Sequence, residues 1–259
     1  KDKLGVSVEE ELLKLQDHLP TIKRVSLGRE VYCFIEAHIE QGPILESEDI
    51  PIGAVTGIQG VRRMRVKIMG DEAHAGTTPY HLRKDAIEEA SRIIEKLYNV
   101  FSKIKDIRFT VGMLNIEPNV PSVVSSEVEF SIDLRHPDTA ILIECEGQVR
   151  KLVDQTVSQC SSEVRCIAEA DTIHFNEKVI AAIENEAKKL NFPCRRIFSG
   201  AGHDARQMSY FCPSGMIFVP SCNGISHNVS EFTNQRDIFS GAQVLCATLL
   251  EFANSENQL

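Results

Sequence analysis

Between residues 60 and 168 the spacing of apolar residues switches repeatedly between the strand period of about 2 and the helix period of about 3.6, and few folds accommodate that order. Met64, Val66 and Ile68 alternate with Arg63, Arg65 and Lys67, the pattern of a strand with one wet face. Ile87, Ala90, Ile94, Leu97 and Phe101 then recur at helical spacing, whereas Ile107, Phe109, Val111 and Met113 alternate again. Val128, Phe130, Ile132 and Leu134 make another strand, Leu142, Cys145, Val149 and Leu152 a second helix, and Val164, Cys166 and Ala168 a last short strand. The order βαββαβ predicts a ferredoxin-like sandwich, an antiparallel sheet with two helices on one face.

The flanking segments read as α/β structure. Val6 to Leu19 has an incomplete apolar stripe, and Tyr32 to Ile39 reads as a strand ending at Gln41-Gly42-Pro43. Downstream, Asn176 can cap a helix running to Leu190, and Arg195 to Phe198 and Gly215 to Val219 read as strands. The closing helix buries Ile238, Ala242, Leu245, Leu249 and Phe252 on one face. The expected organisation is a sandwich of residues 60–168 inserted into a domain whose pieces are 1–59 and 169–259.

At 259 residues, 42% of them apolar, the chain can bury a sizeable core. Its 28 basic against 37 acidic residues give a net charge of −9, which disfavours nucleic acid or an anionic membrane surface as partner. No segment approaches the roughly 18 consecutive apolar residues of a membrane helix. The 8 cysteines form no CxxC pair, which fits reduced thiols and a cytoplasmic location. Position 1 is Lys rather than Met, so the chain is expected to belong to something longer.

Several residues stand where chemistry is commonly done. His74 lies between small residues in Ala73-His74-Ala75-Gly76-Thr77-Thr78-Pro79, with Thr78 and Pro79 reading as helix N-cap and first helical residue. Alone it fits a structural histidine as well as a functional one. His38 at a strand end, His203 and His227 in loops, and Asp204 and Glu231 nearby are residue types that hold zinc, manganese or cobalt, since neutral imidazole and carboxylate suit borderline divalent ions. Core histidines and capping carboxylates are the bland alternative. Gly200 and Gly202 lack the spacing and lysine of a phosphate loop, and no cysteine sits on a glycine elbow.

Six ordered motifs then carry a resemblance: His38-Ile-Glu-Gln-Gly-Pro43, Gly57-Ile-Gln-Gly60, His74-Ala-Gly-Thr-Thr-Pro79 with Arg83-Lys-Asp85, Asp133-Leu-Arg-His136, Ser199-Gly-Ala-Gly-His-Asp-Ala205 and Gly224-Ile-Ser-His-Asn228. Together they resemble the amidase/carbamoylase branch of the M20 metallopeptidase family, which includes N-carbamoyl-L-amino acid hydrolases and allantoate amidohydrolases. The resemblance implies a catalytic domain holding two divalent ions (Zn, Mn or Co) per subunit, with an inserted ferredoxin-like lid through which a homodimer forms. It implies metal ligation by His38 and His227, and a His74 that reaches into the partner's site to polarise the scissile carbonyl. It implies a substrate-carboxylate fork at Arg135 and a substrate-lining turn around Gly202 and His203.

Two departures accompany it. The family's asparagine upstream of the arginine is Ser122 by register, with Asn119 three residues earlier, so both are substrate-binding candidates. The family's His-x-Asp pair and Glu-Glu pair, which lie upstream of the His38 motif, have no counterpart here, so weak or absent metal binding is expected of this chain. The expected function, in the complete protein and not in this chain alone, which is expected to be inactive, is metal-dependent hydrolysis of the linear C–N bond of an N-carbamoyl-L-amino acid or allantoate-like acid. A non-catalytic lid-and-scaffold module and an M20 dipeptidase are the competing readings.

Overall fold

A computed structural model describes residues 2, 4–21 and 30–254. These fall into two units, 1–31 and 32–259. The first holds helix α1 (Val8–His18), started by a capping box in which Ser7 Oγ accepts from Glu10 N–H and the Glu10 carboxylate accepts from Ser7 N–H.

In the second unit the chain runs through β1 (Phe34–Ile39), α2 (Ile44–Ser47), β2 (Ile52–Ile58), β3 (Gly60–Met69), β4 (Ala73–His74) and α3 (Ala86–Phe101). It continues through β5 (Arg108–Thr110), β6 (Leu114–Glu117), β7 (Val123–Val124), β8 (Glu127–His136), α4 (Thr139–Thr156) and β9 (Ser161–Ala170). The last elements are β10 (Ile173–His174), α5 (Glu177–Lys189), β11 (Cys194–Ser199), α6 (Asp204–Met208), β12 (Ser214–Val219) and α7 (Gln235–Asn254).

Two five-stranded sheets organise this unit. The first has the order β1-β12-β2-β10, with β11 also paired to β2. Its central strand β2 is buried at every position but Thr56, and its composition, Ile-Gly-Ala-Val-Thr-Gly-Ile, carries no alternation to announce a strand. The glycine at 53 is required by packing, since a Cβ there would lie 2.9 Å from Ile197 Cγ2. Helices α5 and α7 cover the sheet through Val179, Ile183 and Val244, all fully buried.

The second sheet is antiparallel, in the order β5-β8-β3-β9 with β6 paired to β8. Met64, Val66 and Ile68 of β3 and Phe130, Ile132 and Leu134 of β8 form a separate core with α3 and α4. The alternate positions, Arg63, Arg65, Asp133 and Arg135, therefore lie on the opposite, open face.

Three local expectations change. The strand read over residues 107–113 is interrupted, because pairing to β8 slips by one residue between Thr110 and Met113. The last strand is longer than residues 164–168 suggested. Thr78 and Pro79 do not start the helix: a single 3-10 turn, Tyr80–Leu82, follows Pro79, and α3 begins only at Ala86, capped by Asp85, whose carboxylate accepts from Ile87 and Glu88 N–H. Arg83 is extended, which stops the helical turn there.

Glu89 of α3 ties the turn after α4 to the core. It is 5% exposed, and its Oε1 accepts from Ser158 N–H at 3.1 Å, Ser158 Oγ at 3.0 Å and Gln159 N–H at 2.9 Å. Burial opposes its charge, but these bonds prevail and hold the carboxyl below its ordinary range. Its contribution is therefore complete above the unfolded carboxyl pKa of about 4.3 and is lost as pH falls through the lower folded value. Glu89→Ala is expected to cost about 2–4 kcal/mol at pH 7, because two backbone donors lose their acceptor. Urea midpoints should converge for variant and parent in acid; a gap independent of pH would exclude the charge as its source.

Candidate active-site cleft

The parallel pairing of β1 with β12 sets His38 beside Phe218 and, two residues back on the same face, Glu36. Helix α6 docks against this face: Ala205 N–H donates to Glu36 Oε2 at 2.7 Å, which brings His203, the residue preceding the helix, over β1. The His38 and His203 rings meet edge-on with centroids 4.6 Å apart, and His203 Nδ1 lies 3.7 Å from Glu36 Oε1.

Protonation follows from the hydrogen bonds. His38 Nδ1 lies 2.8 Å from the Ile39 carbonyl, which can only accept, so Nδ1 carries the proton and Nε2 keeps a free lone pair. Ser199 Oγ accepts from Ala201 N–H at 3.1 Å and lies 2.7 Å from His203 Nε2, so the hydrogen bond to Ser199 occupies Nε2 and leaves Nδ1 facing Glu36. That Nδ1 is buried without a hydrogen-bond partner among the described residues, on a side chain only 1% exposed. Burial, then the neighbouring His38 and Arg206, push the His203 pKa down to about 4, against a smaller opposing effect of Asp204, so the ring is neutral near pH 7.

Glu36, His38 and His203 offer ligand atoms that all lie within 4.8 Å of one another. Two neutral imidazoles and a carboxylate suit zinc, manganese or cobalt, and the orphaned Nδ1 is the observation a metal would explain. A second group, Glu146, Cys166 and Glu169, is differently occupied: Arg62 Nε stands 3.8 and 3.9 Å from its two carboxylates, so a guanidinium already supplies the cation.

In front of these residues opens a cleft of about 1030 Å³ between the two sheets, with His38, Gly202 and His227 on one side and Arg135 on the other. Arg135 is held as a fork: Nε and Nη2 donate to the Asp133 carboxylate at 2.8 and 3.1 Å, and Nη1 to the Gly200 carbonyl at 2.7 Å. Burial disfavours the Asp133 charge, yet hydrogen bonds from Arg135 and Arg63 hold its carboxyl below the usual range.

His227 has a left-handed backbone, φ 56°, and is exposed. Its N–H and Ser226 Oγ both donate to Glu231, whose carboxyl they hold low. Gly224 of the same loop is pressed on Gly42-Pro43, where a Cβ would meet Pro43 N at 2.8 Å, so only glycine lets the two cleft loops touch.

Other candidates lie elsewhere. His74, Ser122 and Asn119 are not among the cleft-lining residues. His74 pairs with Val123 across the two-stranded β4–β7 ladder, and Ala75 N–H donates to the Ser122 carbonyl at 2.9 Å. Arg83 clamps the corner through the carbonyls of Thr78 and Ala75. His74 Nδ1 accepts from the N–H groups of Gly76 and Thr77 at 3.0 and 3.2 Å, so the ring proton is on Nε2, an outward donor on an exposed side chain.

Glu36 was missed by the sequence reading, although the alternation of the first strand puts residues 36 and 38 on one face. His203, a metal-ligand candidate by residue type and a substrate-lining one by the resemblance, stands beside His38 and Glu36 and is not among the cleft-lining residues. All 8 cysteines are free, and burial pushes the thiols of Cys145, Cys160 and Cys194 up to about 11, 12 and 11. No helix among the described residues is long and apolar enough to cross a membrane.

These features define a mixed α/β protein with a histidine–carboxylate cluster beside an arginine-lined cleft. The profile of peptidase family M20/M25/M40 matches residues 4–251, and the chain belongs to that family. It is 38% identical over 219 residues to an N-carbamoyl-L-amino-acid amidohydrolase of Paenarthrobacter aurescens, an overlap of 83% of this chain and 53% of the relative. It is 35% identical over 232 residues to an allantoate amidohydrolase of Escherichia coli strain K12, an overlap of 87% and 56%. The crystal structure of a hydantoinase/carbamoylase-family amidase from Burkholderia multivorans superposes with a TM-score of 0.87 at 35% identity, covering 98% of this chain and 62% of that one. The chain thus spans a little over half the length of these relatives.

Proposed function

We propose that the protein is a divalent-metal-dependent amidohydrolase that cleaves a linear C–N bond in the carbamoyl or ureido group of an N-carbamoyl-L-amino acid or allantoate-like acid, and that it works as a homodimer. The observation that carries this reading is the Glu36–His38–His203 cluster at the edge of a cleft whose facing wall presents Arg135. The family membership and the named relatives support it.

Glu36, His38 and His203 would hold one divalent ion, and a second ion of a dinuclear centre would need ligands beyond these three. Bound there, a divalent ion supplies Lewis-acid polarisation and a lowered pKa for coordinated water. Ser199 and the Ile39 carbonyl orient the two imidazoles through their other ring nitrogens, the task of outer groups around a metal. Arg135 has five N–H donors, three of which hold Asp133 and Gly200; the remaining two are free for a substrate carboxylate. His74, with its proton fixed on Nε2, is a preformed donor for a developing oxyanion in a partner's cleft. In this arrangement residues 60–168 act as the lid and the dimerisation surface.

The test is a substrate panel. With Mn²⁺ or Zn²⁺ the protein should release ammonia or free amino acid from N-carbamoyl-L-amino acids or allantoate and leave unmodified dipeptides intact. Dipeptide cleavage alone would favour the dipeptidase reading, and binding without release the scaffold reading.

A further inference from the structure

The cleft wall formed by the open face of the second sheet carries more positive charge than its acids neutralise. Arg63, Arg65, Arg108 and Arg135 line the cleft, and the carboxylates lining it are Asp133 and Glu40. Glu40 is committed elsewhere: it is 9% exposed, and its two oxygens accept from Ile44 and Leu45 N–H at 2.9 and 2.7 Å. Asp133 is shared by Arg63 and Arg135.

Arg65 and Arg108 therefore have no carboxylate partner among the described residues. Arg65 lies against the uncharged sulfur of Met113, and Arg108 Nη1 reaches only the Ile107 carbonyl at 3.4 Å. Arg108 also stands directly opposite Arg135 in the β5–β8 ladder, where like charges cost stability unless an anion lies between them. Thr110 and Ser131 add hydroxyl donors to the same wall. In a chain of net charge −9 this local excess is not a consequence of composition.

We propose that this wall is a two-point anion site and that the ligand it takes is a dicarboxylate, one carboxylate lying between Arg108 and Arg135 and the other at Arg65. Arg65 pairs with Ser131, four residues along β8 from Arg135, about 13 Å of strand that two long side chains can close to the span of a small diacid. Resting on the function proposed above, the inference names the substrate class as the carbamoyl derivative of a dicarboxylic amino acid.

The first test needs no turnover. Calorimetric titration of the 259-residue chain at fixed ionic strength should give succinate or glutarate at least about tenfold tighter binding than butyrate, since each charge-assisted fork adds to the affinity. Arg65→Gln should remove that advantage while leaving butyrate binding unchanged, and Arg108→Gln should weaken both ligands. Arg92→Gln, on α3 and paired with Glu88, should change neither. Equal affinity for diacid and monoacid, or an advantage that survives Arg65→Gln, overturns the proposal.

The second test compares turnover of N-carbamoyl-aspartate and N-carbamoyl-alanine by the metal-loaded protein. Faster aspartate turnover supports the proposal. Equal turnover with no diacid preference in binding overturns it and keeps the amidohydrolase reading. No turnover of either, with the diacid preference intact, overturns the amidohydrolase reading and keeps the anion site.

Discussion

Replacing His38 or His203 by alanine should abolish whatever divalent-metal binding the Glu36–His38–His203 set gives this chain and, in the complete protein, amidohydrolase turnover. Each removes one of the three proposed ligands, so affinity should fall by more than the roughly 10–100-fold that loss of an outer-shell partner costs. The direct readout is the visible absorption of bound Co²⁺, which reports coordination independently of activity. The informative comparison is His227→Ala. His227 lines the cleft but stands outside the ligand cluster, so its variant should keep the Co²⁺ spectrum. Loss of the spectrum in His227→Ala, with His203→Ala unaffected, would return the ligand set to the pair implied by the family resemblance. Glu36→Gln should weaken binding with little effect on folding, because the amide still accepts from Ala205 N–H.

The second large effect concerns His74. If it donates to the oxyanion in a partner's cleft, His74→Ala should lower kcat by about 10²–10³, the cost of losing one such donor, with little change in metal content. Mixing His74→Ala chains with His38→Ala chains should then restore activity, because each mixed dimer contains one cleft with both residues intact. The corner is built to present a single tautomer: two backbone N–H groups occupy Nδ1, and Arg83 braces the loop behind it. Failure of mixing to restore activity, in dimers shown by sedimentation to exchange subunits, would place the role of His74 within its own subunit.

Much of the local structure was legible in the residues. Alternation in β3 and β8 and helical spacing in α3 and α4 are direct consequences of one buried face, and Asn176 begins α5 by accepting from Lys178 and Val179 N–H, as its side chain predicts. Strand β2 was not legible, since a strand buried on both faces has no alternation, and its glycines read as turn residues. The start of α3 was misplaced because Thr78-Pro79 has good capping chemistry locally, whereas Asp85 alone cap-bonds the helix that packs on the sheet.

By itself the sequence determined the order of helices and strands and the motifs that mark the family, because periodicity and turn chemistry act over a few residues. Only the tertiary structure decided which of those residues form a site. Glu36 and Ala205 are separated by 169 positions and meet because parallel pairing of β1 with β12 and the docking of α6 bring them together. The same holds for charge: Arg65 and Arg108 look like ordinary basic residues in the sequence, and sheet pairing leaves both facing one cleft without a carboxylate partner among the described residues.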